Sequence, residues 1–213
     1  MIVAIDGPSG SGKSSVARAI AKRFGLSYLD TGAMYRAFAW WSLQGHNDLS
    51  TCPLRISTSP EAPRVIVGNT DVSAEIRGAD VTERVSLIAA DPAVRAEAVR
   101  RQREIIEQAP EGIVVEGRDI TSVVAPTAPV RVFLTADVAA REARRAAEFD
   151  DPDLAQRMRA TVAQRDHIDT TRAHSPLTEV EGVVRIDATH RTLPEVIDLV
   201  AELVQSRREE STQ

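Results

Sequence analysis

Met1-Ile-Val-Ala-Ile-Asp6-Gly7-Pro8-Ser9-Gly10-Ser11-Gly12-Lys13-Ser14-Ser15 carries the strongest single signal in the sequence. Ile2 to Ile5 is a short apolar run of the kind that forms a buried parallel strand. Gly7, Gly10 and Gly12 then let the backbone curl. Lys13 to Phe24 predicts a helix: Val16, Ala17, Ile20 and Phe24 fall on one face, and Gly25 sits where a C-cap belongs. Strand, glycine loop and helix, with Gly7-x-x-x-x-Gly12-Lys13-Ser14, form a phosphate-binding loop pattern. Small residues allow successive backbone N–H groups to point into one concavity, and the helix N-terminus adds free donors and partial positive charge. Lys13 supplies a mobile full charge, and the hydroxyl after it can approach Mg²⁺.

Composition narrows the partners. The chain has 213 residues, 43% of them hydrophobic, enough for one packed domain with an excursion. Aromatic content of 4% and a net charge of −5 disfavour a general nucleic-acid surface, so phosphate binding must come from local cation clusters. Cys52 is the only cysteine, which excludes a disulfide framework and a Cys-ligated zinc. No apolar stretch approaches a membrane span and the N-terminus lacks a secretory pattern, so a cytoplasmic location is expected, with no membrane partner. Lys13 and Lys22 are the only lysines beside many arginines. A flexible point charge is thus kept at position 13, where one is needed.

Downstream, Leu26 to Leu29 predicts a second strand, ending in Asp30-Thr31-Gly32-Ala33-Met34-Tyr35-Arg36, with a helix to about Leu43 that Asp30 or Thr31 can cap. Residues 46–63 hold three prolines and read as an irregular connection. Arg64 to Val67 and Thr70 to Val72 predict a hairpin. Asp80 to Ala90 and Asp91 to Gln108 predict two helices broken at Asp91-Pro92. In the second helix, Arg100, Arg101 and their neighbours are expected to pair with Glu97 and Glu104. Ile113 to Glu116 predicts a strand running into Gly117-Arg118-Asp119, where α/β sheets bind ligands; a simple Arg118–Asp119 loop ion pair is the bland alternative. Val130 to Leu134 predicts the next strand, and Asp137 a cap for a helix through Glu148 carrying Arg141, Arg144 and Arg145. Phe149 to Asp153 reads as a polar break. Asp153 to Asp169 predicts a helix with Arg157, Arg159, Arg165, Asp166 and Asp169, followed by Arg172. Val183 to Asp187 predicts the last strand, Leu193 to Val204 a closing helix, and Gln205 to Gln213 a frayed tail.

Alternating strands and helices of these lengths predict an α/β, three-layer α/β/α domain with a five-stranded parallel sheet. The core would comprise residues 1–45, 111–148 and 168–213. Residues 46–110 would form an insertion and 149–167 a short helical lid. No Asn-Lys-x-Asp or Asp-x-x-Gly motif occurs, which argues against a guanine-nucleotide switch. No predicted strand ends cleanly in the Asp that a motor uses to hold Mg²⁺. Dispersed arginines suit a kinase, because a nucleotide acceptor brings its own negative charge.

Four motifs in order resemble the bacterial cytidylate kinase family: Ile5-Asp6-Gly-Pro-Ser-Gly-Ser-Gly-Lys-Ser14, Tyr28-Leu-Asp-Thr-Gly-Ala-Met-Tyr-Arg36, Val115-Glu-Gly-Arg-Asp119 and Arg165-Asp-x-x-Asp-x-x-Arg172. Val72-Ser-x-Glu-Ile-Arg77 resembles that family's enlarged monophosphate-binding insertion. The resemblance implies transfer of the γ-phosphoryl of ATP to CMP or dCMP with Mg²⁺, by a monomer acting on small molecules. It implies that Gly7, Pro8, Ser9, Gly10, Ser11, Gly12, Lys13, Ser14 and Ser15, with Arg141 and Arg145, bind ATP, and that Ser14 approaches the metal. Asp119, Arg95 and Ser86 match the cytosine-reading positions, Arg165 and Asp169 the sugar positions, and Arg36 and Arg118 the CMP phosphate positions. Thr31 joins the substrate set, and Lys13, Arg118 and Arg172 are the expected catalytic charges. Three departures stand out. Ser14-Ser15 replaces Gly-Thr, Ile120-Thr121-Ser122 lacks a usual glycine, and Ile168 stands where arginine is common. Two rivals remain at this point: another small-molecule kinase, for UMP or a hydroxyl acceptor, and an ATP-binding module that transfers nothing.

Overall fold

The computed structural model describes residues 1–147 and 150–210. The predicted helix end at Glu148, Phe149 of the polar break, and residues 211–213 of the tail lie outside the described residues.

Strand β1 (Ile2–Asp6) is the middle of a five-stranded parallel sheet. It lies between β6 (Ile113–Gly117) and β7 (Val130–Thr135); β2 (Ser27–Asp30) and β8 (Val184–Asp187) complete the order β2-β6-β1-β7-β8. The pleat sends alternate residues to opposite faces. Val3 and Ile5 pack with Val16 and Ile20 of α1 (Lys13–Phe24) and with Val196, Val200 and Val204 of α7 (Leu193–Glu210). Ala4 packs the other way, with Leu29, Ile113, Val115 and Ile120. Both faces of the sheet are therefore covered, as parallel strands require. The closing helix runs on to Glu210, past the predicted end at Val204. Leu203 packs against the core, and Arg208 ties the extra turn back by donating to the Phe24 carbonyl at 3.0 Å.

Helix α2 (Thr31–Leu43) starts where β2 ends, and Asp30 caps it by accepting from Ala33 N at 2.9 Å. Residues 46–110 then build a separate antiparallel sheet, β3 (Leu54–Ile56), β4 (Val65–Val67) and β5 (Thr70–Asp71), with helices α3 (Ala79–Ala90) and α4 (Pro92–Glu107). β3 falls inside the stretch read as irregular; three residues directly after Pro53 give no periodicity to detect. Asp91 caps α4 through Ala93 N and Val94 N, with Pro92 at the first helical position, as predicted. Arg100 pairs with Glu97 and Glu104, and Arg101 with Glu97.

Helix α5 (Val138–Ala146) has no side-chain cap from Asp137; that residue instead donates its backbone N–H to Thr189 Oγ1 at 2.9 Å. Helix α6 (Pro152–Thr171) is capped by the residue just before it: Asp151 accepts from Asp153 N at 2.9 Å. α6 packs on α5 and on α3, and at its exposed start Arg157 pairs with Glu83 of α3 at 2.7 Å. No helix among the described residues is long and apolar enough to cross a membrane.

The buried end of β1 is fixed by one carboxylate. Asp6 Oδ1 accepts from Ile120 N at 2.9 Å, and Oδ2 accepts from Thr121 N and Thr121 Oγ1, both at 2.7 Å. Thr121, one of the departures in sequence, thus supplies a hydroxyl to this junction. Burial pushes the Asp6 carboxyl above its ordinary pKa, against the pull of the bonds from Thr121 and Ile120. Asp6→Asn keeps the shape but sets an NH₂ group against buried N–H donors. It is expected to cost about 1–3 kcal/mol for each donor left unsatisfied. A urea unfolding midpoint equal to that of the wild type would contradict this account.

Candidate active site

The glycine loop sits between the end of β1 and α1, wedged against neighbouring backbone. A Cβ on Gly7 would lie 2.0 Å from the Leu134 carbonyl oxygen, and one on Gly10 would lie 2.5 Å from the Arg141 carbonyl oxygen. Both glycines also have positive φ, so no other residue keeps this course of the chain. Lys13 is buried at the start of α1, and its Nζ donates to the Pro8 carbonyl at 2.9 Å. Burial lowers its pKa, and repulsion from Arg118 adds to that. An anion beside it would oppose both effects by favouring the charged form.

Ser14 Oγ donates to Glu116 Oε1 at 2.7 Å, joining the loop to the end of β6. Burial, then repulsion from Asp30, raises the Glu116 pKa. Thr31 Oγ1 donates to the Glu116 carbonyl at 2.8 Å, fixing the same corner from α2. Glu116 lies inside the Val115-Glu-Gly-Arg-Asp119 motif but was not expected in the site, since its side chain gives no local signal. Contrary to the expectation that no strand ends cleanly in Asp, β1 ends in Asp6, β2 in Asp30 and β8 in Asp187. Among the described residues no group of three or more His, Cys, Asp or Glu side chains gathers as a metal cluster. Ser14 and Glu116 offer instead the one or two hard oxygens by which Mg²⁺ is held when water and phosphate complete its shell.

Next to Lys13 stands a chain of arginines and carboxylates. Arg118 Nε donates to Asp169 Oδ2 at 2.8 Å, and Arg172 Nη1 lies 3.5 Å from Asp169 Oδ1. Burial alone would raise the Asp169 pKa; Arg118, Arg165 and Arg172 outweigh it and hold the carboxyl below its ordinary value. Arg165 is pushed down to about 10 by burial and then by Arg118. Arg36 is pushed down to about 9 by burial, then by Arg165 and Arg145. Its Nη1 is anchored by the Ile76 carbonyl at 3.0 Å and Thr82 Oγ1 at 2.9 Å, both in the 46–110 segment. Arg118 therefore does not pair with Asp119. That carboxylate is bound by Arg95, whose Nη1 also donates to the Ala89 carbonyl at 3.0 Å and whose guanidinium lies 5.3 Å from the Tyr35 ring centre. Arg95 Nε, Arg172 Nη2 and Tyr35 OH are buried without a partner.

One cavity of about 690 Å³ joins these groups. Ser9, Gly10, Lys13, Ser14, Ser15, Thr31, Arg36, Ser86, Arg95, Arg118, Asp119, Arg145, Arg165, Asp169 and Arg172 all line it. Gly7, Pro8, Ser11, Gly12 and Arg141 do not. The first four form the back of the loop. Arg141 is buried beneath it, donating from Nη1 to the Ser9 carbonyl at 3.1 Å and from Nε to the Ala136 carbonyl at 2.9 Å. Arg18, Arg64 and Arg77 also line the cavity and were not singled out. Only Arg77 carried a signal, as the end of Val72-Ser-x-Glu-Ile-Arg77; it lies 3.6 Å from Asp30.

Comparison with known proteins agrees with this geometry. The family model for cytidylate kinase matches residues 3–206. A cytidylate kinase of Streptomyces avermitilis is 44% identical over 98% of this chain and 94% of the relative. One from Lactiplantibacillus plantarum is 43% identical over 97% of this chain and 95% of the relative. Among solved structures, a shikimate kinase from Bacteroides thetaiotaomicron is similar in fold, with a TM-score of 0.50 at 12% identity over 96% of this chain and 98% of that one. A loop built for phosphate, an arginine-lined cavity and a near full-length match converge on one conclusion: the chain belongs to the cytidylate kinase family.

Proposed function

We propose that this chain transfers the γ-phosphoryl group of ATP to CMP or dCMP, giving CDP or dCDP and ADP. The observation that carries the reading is that one cavity is lined by two chemically different sets of residues: the glycine loop with Lys13, and the polar set Asp119, Arg95 and Ser86. Cytosine presents an amino donor at N4. Asp119 supplies an acceptor for it, and Arg95 and Ser86 supply donors for the ring's acceptors. The unpartnered Arg95 Nε supports this role.

In this reading the loop and Lys13 hold the ATP phosphates, and Arg145 adds charge from α5. Arg36 and Arg118 bind the acceptor phosphate, with Thr31 beside them. Arg165 and Asp169 meet the sugar, and Arg172 stands at the transferred group. Transfer is in line and needs no covalent intermediate. The acceptor phosphate is already anionic at neutral pH, so no general base is needed. The chain's own work is positioning and charge neutralisation. Ser14 and Glu116 are the residues that would hold Mg²⁺. When bound, that ion would neutralise charge on the phosphate oxygens. The 46–110 segment acts as the monophosphate-binding unit and 149–167 as the lid, which together exclude water. Arg141 serves ATP indirectly, by fixing the Ser9 backbone. The same reading takes the chain as a monomer working on small molecules in the cytoplasm.

A coupled ADP-release assay with CMP, dCMP, UMP and AMP tests the reading. Activity is expected with CMP and dCMP, and weaker activity with UMP; ATP consumption that ignores the monophosphate would contradict it. Asp119→Ala is expected to erode the ratio of kcat/KM for CMP over UMP while leaving the KM for ATP nearly constant. An unchanged ratio would remove Asp119 from base reading. Arg172→Ala is expected to lower kcat on the order of a hundredfold, as loss of an oxyanion donor does. A loss confined to the KM for CMP would reassign it to ground-state binding.

A further inference from the structure

The glycine loop is gripped from outside by two helices that contribute nothing to its own strand–loop–helix unit. Arg141 of α5 is buried and donates to the Ser9 carbonyl at 3.1 Å and to Asp166 Oδ2. Asp166 of α6 turns its other oxygen, Oδ1, to the Ser9 backbone N–H at 3.2 Å. One carboxylate thus closes a ring of loop backbone, α5 guanidinium and α6. The proposed transfer gives Asp166 no part, and it does not line the cavity. Its neighbours on α6 do. Arg165 precedes it, Asp169 follows three residues on, and Arg172 stands three further, at the helix end. Asp169 shares a helix face with Asp166, while Arg165 and Arg172 share the face of Asp169, so fixing position 166 fixes the rotation of the helix that carries all three.

We propose that Asp166 is a positioning residue that pins the C-terminal half of α6 to Ser9 and Arg141, holding Arg165, Asp169 and Arg172 in the cavity. The proposal deepens the phosphotransfer reading above and rests on it for its kinetic half. Hydrogen bonds to charged groups are the stronger ones, and here both partners of the pin are buried or nearly so. Without it, α6 keeps its buried Met158 and Val162, the Arg157–Glu83 and Arg118–Asp169 pairs and a long Arg165–Ser9 Oγ contact of 3.5 Å, but loses its charge-assisted tie to the loop backbone and to Arg141.

The test compares wild type, Asp166→Ala and Asp166→Asn by amide hydrogen exchange of the full ligand-free chain, alongside kinetics with ATP and CMP. Asp166→Ala is expected to speed exchange over residues 160–171 about tenfold, which is the scale of one lost charge-assisted bond. Exchange in α7 should stay unchanged. The kcat should fall about tenfold, and ADP formed per CDP formed should rise above one as water enters the loosened site. Asp166→Asn keeps an acceptor for Ser9 but loses the charge facing Arg141, and should fall between the two. Unchanged exchange over 160–171 would overturn the pin. So would equal acceleration in α7, which marks general destabilisation. Faster exchange with unaltered kcat would overturn the positioning role. A wild-type chain that makes no CDP would instead sink the phosphotransfer reading, while the exchange comparison would still judge the pin.

Discussion

Positive charge held out of water, without enough negative charge to balance it, is the constraint on which this site depends. Lys13, Arg36 and Arg165 are each pushed toward losing their protons, by burial first and by a neighbouring arginine second, Arg118 for Lys13 and Arg165, and Arg165 for Arg36. Desolvating cations so close together costs free energy, and nothing in the protein fully offsets it. Anionic ligands do. The fold thus gathers in one cavity a local excess of cations that the net charge of −5 over the whole chain does not show.

The sheet makes that arrangement possible. β1 and β6 end side by side, Asp6 opposite Gly117, so the loop after one and Arg118-Asp119 after the other open at the same edge. Asp6 locks the two ends together from below by holding the backbone N–H groups of Ile120 and Thr121. Ser14 and Glu116 join them from above. The carboxylates Asp119 and Asp169 then divide the cations between two tasks. Asp119 takes Arg95, and Asp169 takes Arg118 and lies 3.5 Å from Arg172.

The sequence made much of this legible for physical reasons. The glycine loop is local, so its strand, turn and helix all lie within one readable stretch. The parallel sheet follows from lengths and alternation. Asp30 and Asp91 cap their helices because capping is decided over three residues. Pairings at long range were not legible. Whether Arg118 meets Asp119 or Asp169, and whether Arg141 faces a ligand or the underside of Ser9, depends on how α5 and α6 lie across the loop. β3 escaped because three residues directly after Pro53 carry no period. Glu116 was visible but unassigned, since its partner, Ser14, is 102 positions away in sequence.

The exposed pair between Arg157 and Glu83 has a consequence for how salt acts on this fold. It ties α6 to α3 at the surface, while Met158 and Val162 of α6 are buried. A solvent-exposed pair of this kind is worth at most about 1 kcal/mol, a bias of roughly fivefold. Added salt screens that bond and leaves the apolar packing of α6 in place, so ionic strength acts on the surface tie alone.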